Sequence, residues 1–77
     1  MGIRVTVVLF GALREVAGAA EMELELDDGA MVRDVLAACG LPDRVDIWSL
    51  LDGERAGRDA LVSDGAQVNL FQPVGGG

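Results

Sequence analysis

Two segments near the start of the chain alternate between apolar and polar side chains, which is the period of a β-strand. The first, residues 3–10, places four apolar side chains on one face: Ile3, Val5, Val7 and Leu9. Its other face also becomes apolar, at Val8 and Phe10, and this predicts a central strand. The second segment, EMELELDDG, alternates three apolar residues with three glutamates: Glu21, Glu23 and Glu25. We interpret these glutamates as the solvated side of an edge strand.

Two other segments repeat their apolar residues at helical spacing. GALREVAG, bracketed by Gly11 and Gly18, predicts a short helix between the two strands. MVRDVLAACG predicts the main helix, because its apolar residues fall at i, i+3, i+4 and i+7 and form one stripe: Val32, Val35, Leu36 and Cys39. Gly40 supplies the signal that ends this helix.

The second half of the chain predicts further strands. DIWSLLDGERA indicates a hairpin with its tight turn at Asp52–Gly53. In the last segment, Val68 and Leu70 face one way and Phe71 the other. We expect the main helix to cross one face of the sheet and the closing strand to lie beside the first. The predicted fold is therefore an α+β roll, the β-grasp arrangement of ubiquitin-like proteins, in one domain over residues 1–77.

The composition excludes several kinds of function. The chain has no histidine and no tyrosine, and all six of its basic residues are arginines. Without lysine there is no Walker-type phosphate loop and no Schiff base, and without histidine there is no imidazole base. The single cysteine, Cys39, cannot form an internal disulfide or a usual zinc site, and we expect no bound metal or cofactor. Because Cys39 lies on the apolar stripe of the main helix, we predict that it is a core residue. We conclude that the chain is not an independent enzyme.

Charge and hydropathy limit the kinds of partner and the location that we expect for this protein. The net charge of −7 repels nucleic acid and favours an electropositive protein partner; the alternative, which the charge fits equally, is that the acidic residues only keep a small apolar protein in solution. No apolar run approaches the ~20 residues that cross a bilayer, so we expect a cytoplasmic protein without a membrane partner. On the predicted sheet, the face opposite the helix carries Val8 and Phe71, together with Trp48 if its strand has the matching register. We predict that these three residues dock partners, with Leu50 as a further candidate; the alternative is a minor core under a loop.

The last fifteen residues, SDGAQVNLFQPVGGG, carry the most specific motif. A turn at Asp64–Gly65 precedes an apolar strand, then Pro73–Val74, Gly75 and a final Gly76–Gly77. This pattern resembles the small sulfur-carrier proteins of the MoaD/ThiS type, and the resemblance covers residues 3–77. One departure is Gln72, which stands where the family pattern has the first of two prolines.

The resemblance implies a role for the end of the chain. In this family a partner uses ATP to adenylate the terminal carboxylate, here that of Gly77, and a sulfur donor then converts it to a thiocarboxylate. The residues before Gly77 would thread the partner's active site as a flexible tail over residues 73–77: Pro73, Val74, Gly75 and Gly76. Glycine suits this role because a backbone without Cβ passes through a narrow channel, and Pro73 keeps the base of the tail extended.

The resemblance also implies partners and leaves the pathway open. The expected partners are an adenylating and sulfurating enzyme of the MoeB/ThiF type and the large subunit of molybdopterin synthase. The segment ALREVAG is similar to the molybdopterin branch, whereas LFQ in the last strand is more like the thiamine carriers. Our interpretation is the small subunit of molybdopterin synthase. The alternatives are a carrier for thiamine or another sulfur pathway, and a β-grasp binding module whose terminal glycines are inert.

Overall fold

The alternating segments form strands and the 3.6-residue stripes form helices. The computed structural model of the protein describes residues 2–42 and 46–72, and its elements there are β1 (Gly2–Leu9), α1 (Leu13–Ala17), β2 (Glu21–Asp27), α2 (Val32–Ala38), β3 (Trp48–Leu51), β4 (Glu54–Ala56) and β5 (Gln67–Phe71). Each predicted strand and helix is present. Neither helix in these ranges has the length and apolar composition needed to cross a membrane.

The five strands form one mixed sheet in the order β2-β1-β5-β3-β4. The strands β1 and β5 run parallel, with Leu9 opposite Leu70, and the other three neighbouring pairs are antiparallel. Strand β1 is interior and the closing strand lies beside it, as the sequence predicts. The glutamate-bearing strand β2 is at one edge of the sheet.

The core lies between the sheet and α2. The side chains most completely buried come from β1, α2 and β5: Val5, Val7, Leu9, Val32, Val35, Leu36, Val68 and Leu70. We call the side of the sheet that α2 covers the inner face and the other side the outer face. Because side chains alternate along a strand, burying these residues leaves Val8 and Phe71 on the outer face.

The ends of α2 are fixed by local chemistry. At the start, the carboxylate Oδ2 of Asp34 accepts a hydrogen bond from the backbone N–H of Met31 at 2.8 Å. At the end, Gly40 takes a positive φ of 77°, and the N–H of Leu41 donates to the carbonyl of Leu36 at 2.9 Å. The prediction that Gly40 ends the helix is therefore confirmed.

Cys39 closes the helical stripe and is 6% exposed. Its Sγ lies 3.7 Å from Sδ of Met22, on the inner side of β2. Burial raises the pKa of the Cys39 thiol above its ordinary value. These observations confirm the prediction of a core residue.

Candidate functional site

All three aromatic side chains of the protein lie at one end of the sheet. Trp48 begins β3 and is paired with Phe71, the last residue of β5, at a distance of 5.9 Å between ring centroids. Phe10 follows β1, and its N–H donates to the carbonyl of Leu70 at 3.1 Å, which places Phe10 level with Phe71. The rings thus come from three adjacent strands, although they lie far apart in the sequence.

Two apolar side chains, one on each side of Asn69, lie next to the aromatic residues on the outer face. Asn69 of β5 is flanked in register by Val8 of β1 and Leu50 of β3, and both of these residues are half-buried. These two side chains and the three aromatic ones form one surface, which we call the aromatic face: Val8, Phe10, Trp48, Leu50 and Phe71. Phe10 is 42% exposed, and none of the five residues belongs to the buried core.

The structure places each residue of the predicted docking surface on the aromatic face. Val8 and Phe71 occupy the outer face as their parity in the strands requires. The pairing of Trp48 with Phe71 settles the register that the sequence left open. Docking by these residues stays a prediction. Phe10 is not part of that prediction, because the sequence places the closing strand beside the first but does not give the direction and register that bring Phe10 level with Phe71.

An arginine covers part of the aromatic face. The guanidinium carbon of Arg55, on β4, lies 3.6 Å from the centroid of the Trp48 ring, the geometry of a cation–π contact. Arg55 pairs with Leu50 in the β3–β4 hairpin, so the same register that positions Leu50 positions the guanidinium. The aromatic face therefore presents a positive charge on an apolar surface in a protein that is otherwise strongly acidic.

The chain leaves the sheet at the aromatic face. After Phe71, the side chain of Gln72 donates from Nε2 to Oδ2 of Asp46 at 3.2 Å. The residues that the resemblance assigns to the tail, Pro73, Val74, Gly75 and Gly76, lie outside the described residues, and so does Gly77. The structure shows where the tail would begin: Gln72 lies next to the pair formed by Trp48 and Phe71.

The outer side of β2 is acidic and partly paired with β1. The guanidinium of Arg4 reaches Oε1 of Glu25 at 3.3 Å and Oε1 of Glu23 at 3.9 Å. These pairs are exposed, so they contribute little to stability. The observation fits the interpretation of the glutamates as the solvated side of an edge strand. Among residues 2–42 and 46–72, no group of three or more His, Cys, Asp or Glu side chains is placed to hold a metal ion.

Several solved structures have the same architecture. Small archaeal modifier protein 1 of H. volcanii matches with a TM-score of 0.83 and 29% identity, covering 95% of this chain and 100% of that one. A putative molybdopterin converting factor subunit 1 of Pyrococcus furiosus matches with a TM-score of 0.80 and 28% identity, covering 94% and 99%. Urm1 of Trypanosoma brucei matches with a TM-score of 0.67 at 18% identity, covering 99% and 97%, and supports the fold alone. No curated protein gives a significant sequence match.

The sheet order, the helix across the inner face and these neighbours define a ubiquitin-like β-grasp protein. The sequence model of the ThiS family matches residues 7–77, which is nearly the whole chain. The chain therefore belongs to the ThiS family of small ubiquitin-like sulfur carriers.

Proposed function

We propose that this protein carries sulfur on its C-terminal carboxyl group as a protein cosubstrate of other enzymes. One observation carries the proposal: the family match runs through Gly77, and the strand that leads there ends in the aromatic face. A surface for docking and a backbone that departs from it are what a carrier needs in order to deliver a terminal group into another protein.

In the proposed reaction the carrier supplies the terminal carboxylate and the partner enzyme supplies the bound ATP. The carboxylate of Gly77 attacks the α-phosphorus of ATP bound by an adenylating enzyme of the MoeB/ThiF type, and pyrophosphate leaves. Hydrosulfide from a sulfur donor then attacks the acyl carbon, AMP leaves as the bond to its phosphate oxygen breaks, and the terminus becomes a thiocarboxylate. The carrier itself binds no cofactor in this scheme. Because glycine has no Cβ, the carbonyl of Gly77 is open to attack from either face.

Docking of the carrier brings its terminus close to the active site of the partner. Residues 73–77, which include Gly75 and Gly76, span at most ~17 Å when extended, so the terminus can enter a buried site while the body stays outside. The aromatic face would bind the partner surface around the entrance to that site, with its centre at Phe71 and Trp48. Holding the reacting groups together in this way makes a bimolecular step effectively unimolecular.

For the pathway, we propose molybdenum cofactor biosynthesis, with the large subunit of molybdopterin synthase as the second partner. The similarity to the P. furiosus protein supports this branch. The short α1 helix, formed by the segment ALREVAG, agrees with it. The cytoplasm, where ATP is available, is the proposed location. Transfer of sulfur for thiamine or another product remains the alternative.

A second candidate is attachment of the activated terminus to an amine of another protein. The similarity to the H. volcanii modifier protein is as high as the similarity to the converting factor. Both functions use the same adenylate, and they differ in the nucleophile that attacks the acyl carbon. They therefore share the first step and the same docking requirement.

Intact-mass spectrometry tests the proposal. The protein is incubated with the adenylating enzyme of its own genome, ATP and a sulfur donor; we expect one oxygen to be replaced by sulfur and fragmentation to place the sulfur on Gly77. A variant with one alanine added after Gly77 is the matched control and should keep its oxygen. Sulfur incorporation into that variant, or a native chain that stays unmodified while a carrier known to accept sulfur is converted, would contradict the proposal.

A further inference from the structure

The last residue of the described chain is held to the body by its side chain. Gln72 Nε2 donates to Asp46 Oδ2 at 3.2 Å, and both residues are half-buried. Asp46 stands two residues before β3, whose first residue, Trp48, pairs with Phe71. The hydrogen bond therefore extends the contact between β3 and β5 beyond the last paired residues.

This hydrogen bond lies where the direction of the tail is set. Up to Phe71, pairing with β3 and β1 fixes the backbone of β5. Gln72 is the first residue after the strand, and unlike Pro73 it has no ring that fixes its φ. A side-chain anchor at this position restricts the backbone of Gln72, which is the base of the tail.

We propose that Asp46 is a positioning residue for activation of the terminus, and this inference rests on the function proposed above. By holding Gln72, Asp46 fixes the base of the tail beside the aromatic face before the partner binds. A pre-oriented tail loses less conformational freedom on docking, so the benefit appears as affinity for the partner. Asp46 does not touch the reacting atoms, so the rate of adenylation in the bound complex stays the same.

The kinetic test compares two changes at one position. In ATP–pyrophosphate exchange with the adenylating enzyme, Asp46→Ala should raise KM for the carrier about fivefold, the effect of losing one net hydrogen bond, and leave kcat unchanged. Asp46→Asn keeps an oxygen acceptor of the same size and should stay close to wild type. A fall in kcat, an unchanged KM for Asp46→Ala, or equal effects of the two variants would overturn the inference.

A double-mutant cycle identifies the partner of Asp46. Gln72→Ala should raise KM as Asp46→Ala does, and the double variant should be no worse than either single variant, because both remove the same hydrogen bond. Additive effects would mean that Asp46 acts through another contact and would overturn the assignment. Thermal unfolding of each variant shows whether the change in KM occurs in a folded protein.

Nuclear magnetic resonance tests the anchor without any partner. In the wild-type protein, the backbone ¹⁵N relaxation of Gln72 should match that of β5, and Asp46→Ala should make Gln72 more mobile while β5 stays unchanged. Equal mobility of Gln72 in the two proteins would overturn the anchor itself. If the relaxation changes as expected but the terminus is never adenylated, the anchor stands, while the proposed function and the positioning role that depends on it fail.

Discussion

At the scale of single residues, Cys39 shows what burial does to an ionisable group. The side chain lies on the buried stripe of α2, and burial raises the pKa of its thiol. The chain has no histidine, lysine or tyrosine, so Cys39 is the only side chain whose ordinary pKa lies between about 7 and 11. Among the side chains, the dependence of stability on pH in that range therefore reports on one residue.

We predict that the free energy of unfolding falls as the pH rises above about 8.5, the ordinary pKa of a thiol. Above that pH the unfolded chain loses the thiol proton while the native protein, whose pKa is raised, keeps it. The unfolded state then binds fewer protons, so raising the pH favours unfolding; below about pH 8 both states are protonated and Cys39 adds no slope. Urea unfolding at a series of pH values measures this.

The control is Cys39→Ala, which removes the thiol and also creates a small cavity. It should be less stable than wild type near neutral pH and should show no matching decline above about pH 8.5. A decline as steep in Cys39→Ala as in wild type would assign the effect to another group.

At the scale of elements, the hairpin between β3 and β4 depends on its turn. Asp52 and Gly53 both have positive φ, at 51° and 91°, as the tight turns of two-residue hairpins require. Asp52 also joins the hairpin to β5, because its N–H donates to the carbonyl of Gln67 at 2.9 Å and its Oδ1 accepts from the N–H of Gln67 at 3.0 Å. Asp52 thus supplies both the backbone conformation of the turn and the hydrogen bonds that fix the hairpin against β5.

We predict that Asp52→Ala lowers the free energy of unfolding by about 1–2 kcal/mol. Alanine is strained at positive φ, and it lacks the oxygen that accepts from Gln67. Asp52→Asn is the matched variant, because asparagine tolerates this conformation and keeps an acceptor; it should lie within ~0.5 kcal/mol of wild type. Chemical denaturation measures both, and equal losses for the two variants would refute this account of the turn.

At the scale of the whole molecule, the aromatic face exists only because three strands meet. Phe10, Trp48 and Phe71 lie on β1, β3 and β5 or next to them, and the sheet order places β5 between the other two. Phe71 is therefore at the centre of the row, where buried aromatic residues contribute most to an interface. A substitution at Phe71 should therefore weaken partner binding more than it lowers the stability of the fold.

We predict that Phe71→Ala weakens binding to the adenylating enzyme about tenfold or more, because it removes a central aromatic contact. Leu61→Ala is the control. Leu61 is 61% exposed but pairs with Met31 beside the start of α2, away from the aromatic face. Calorimetric titration measures affinity, and circular dichroism tests whether Phe71→Ala remains folded, as we expect. Equal affinity losses, or a Phe71→Ala chain that does not fold, would support the view that the aromatic face is a minor core.

The sequence alone determined those features that depend on near neighbours. Alternation is enough for β1 and β2, because a strand with one buried face repeats every two residues. The helical stripe and Gly40 define α2, and the turn chemistry of Asp52–Gly53 defines the hairpin. The terminal motif indicated the family, which the match over residues 7–77 confirms.

Which distant residues meet depends on the packing of the whole chain. The contact of Asp46 with Gln72, the stacking of Arg55 on Trp48 and the place of Phe10 beside Phe71 all depend on the order of strands in the sheet. Periodicity tells which face of a strand is apolar, but it does not tell which strand lies next to it. That choice is made by the burial of the whole inner face at once, and it fixes the outer face as a consequence.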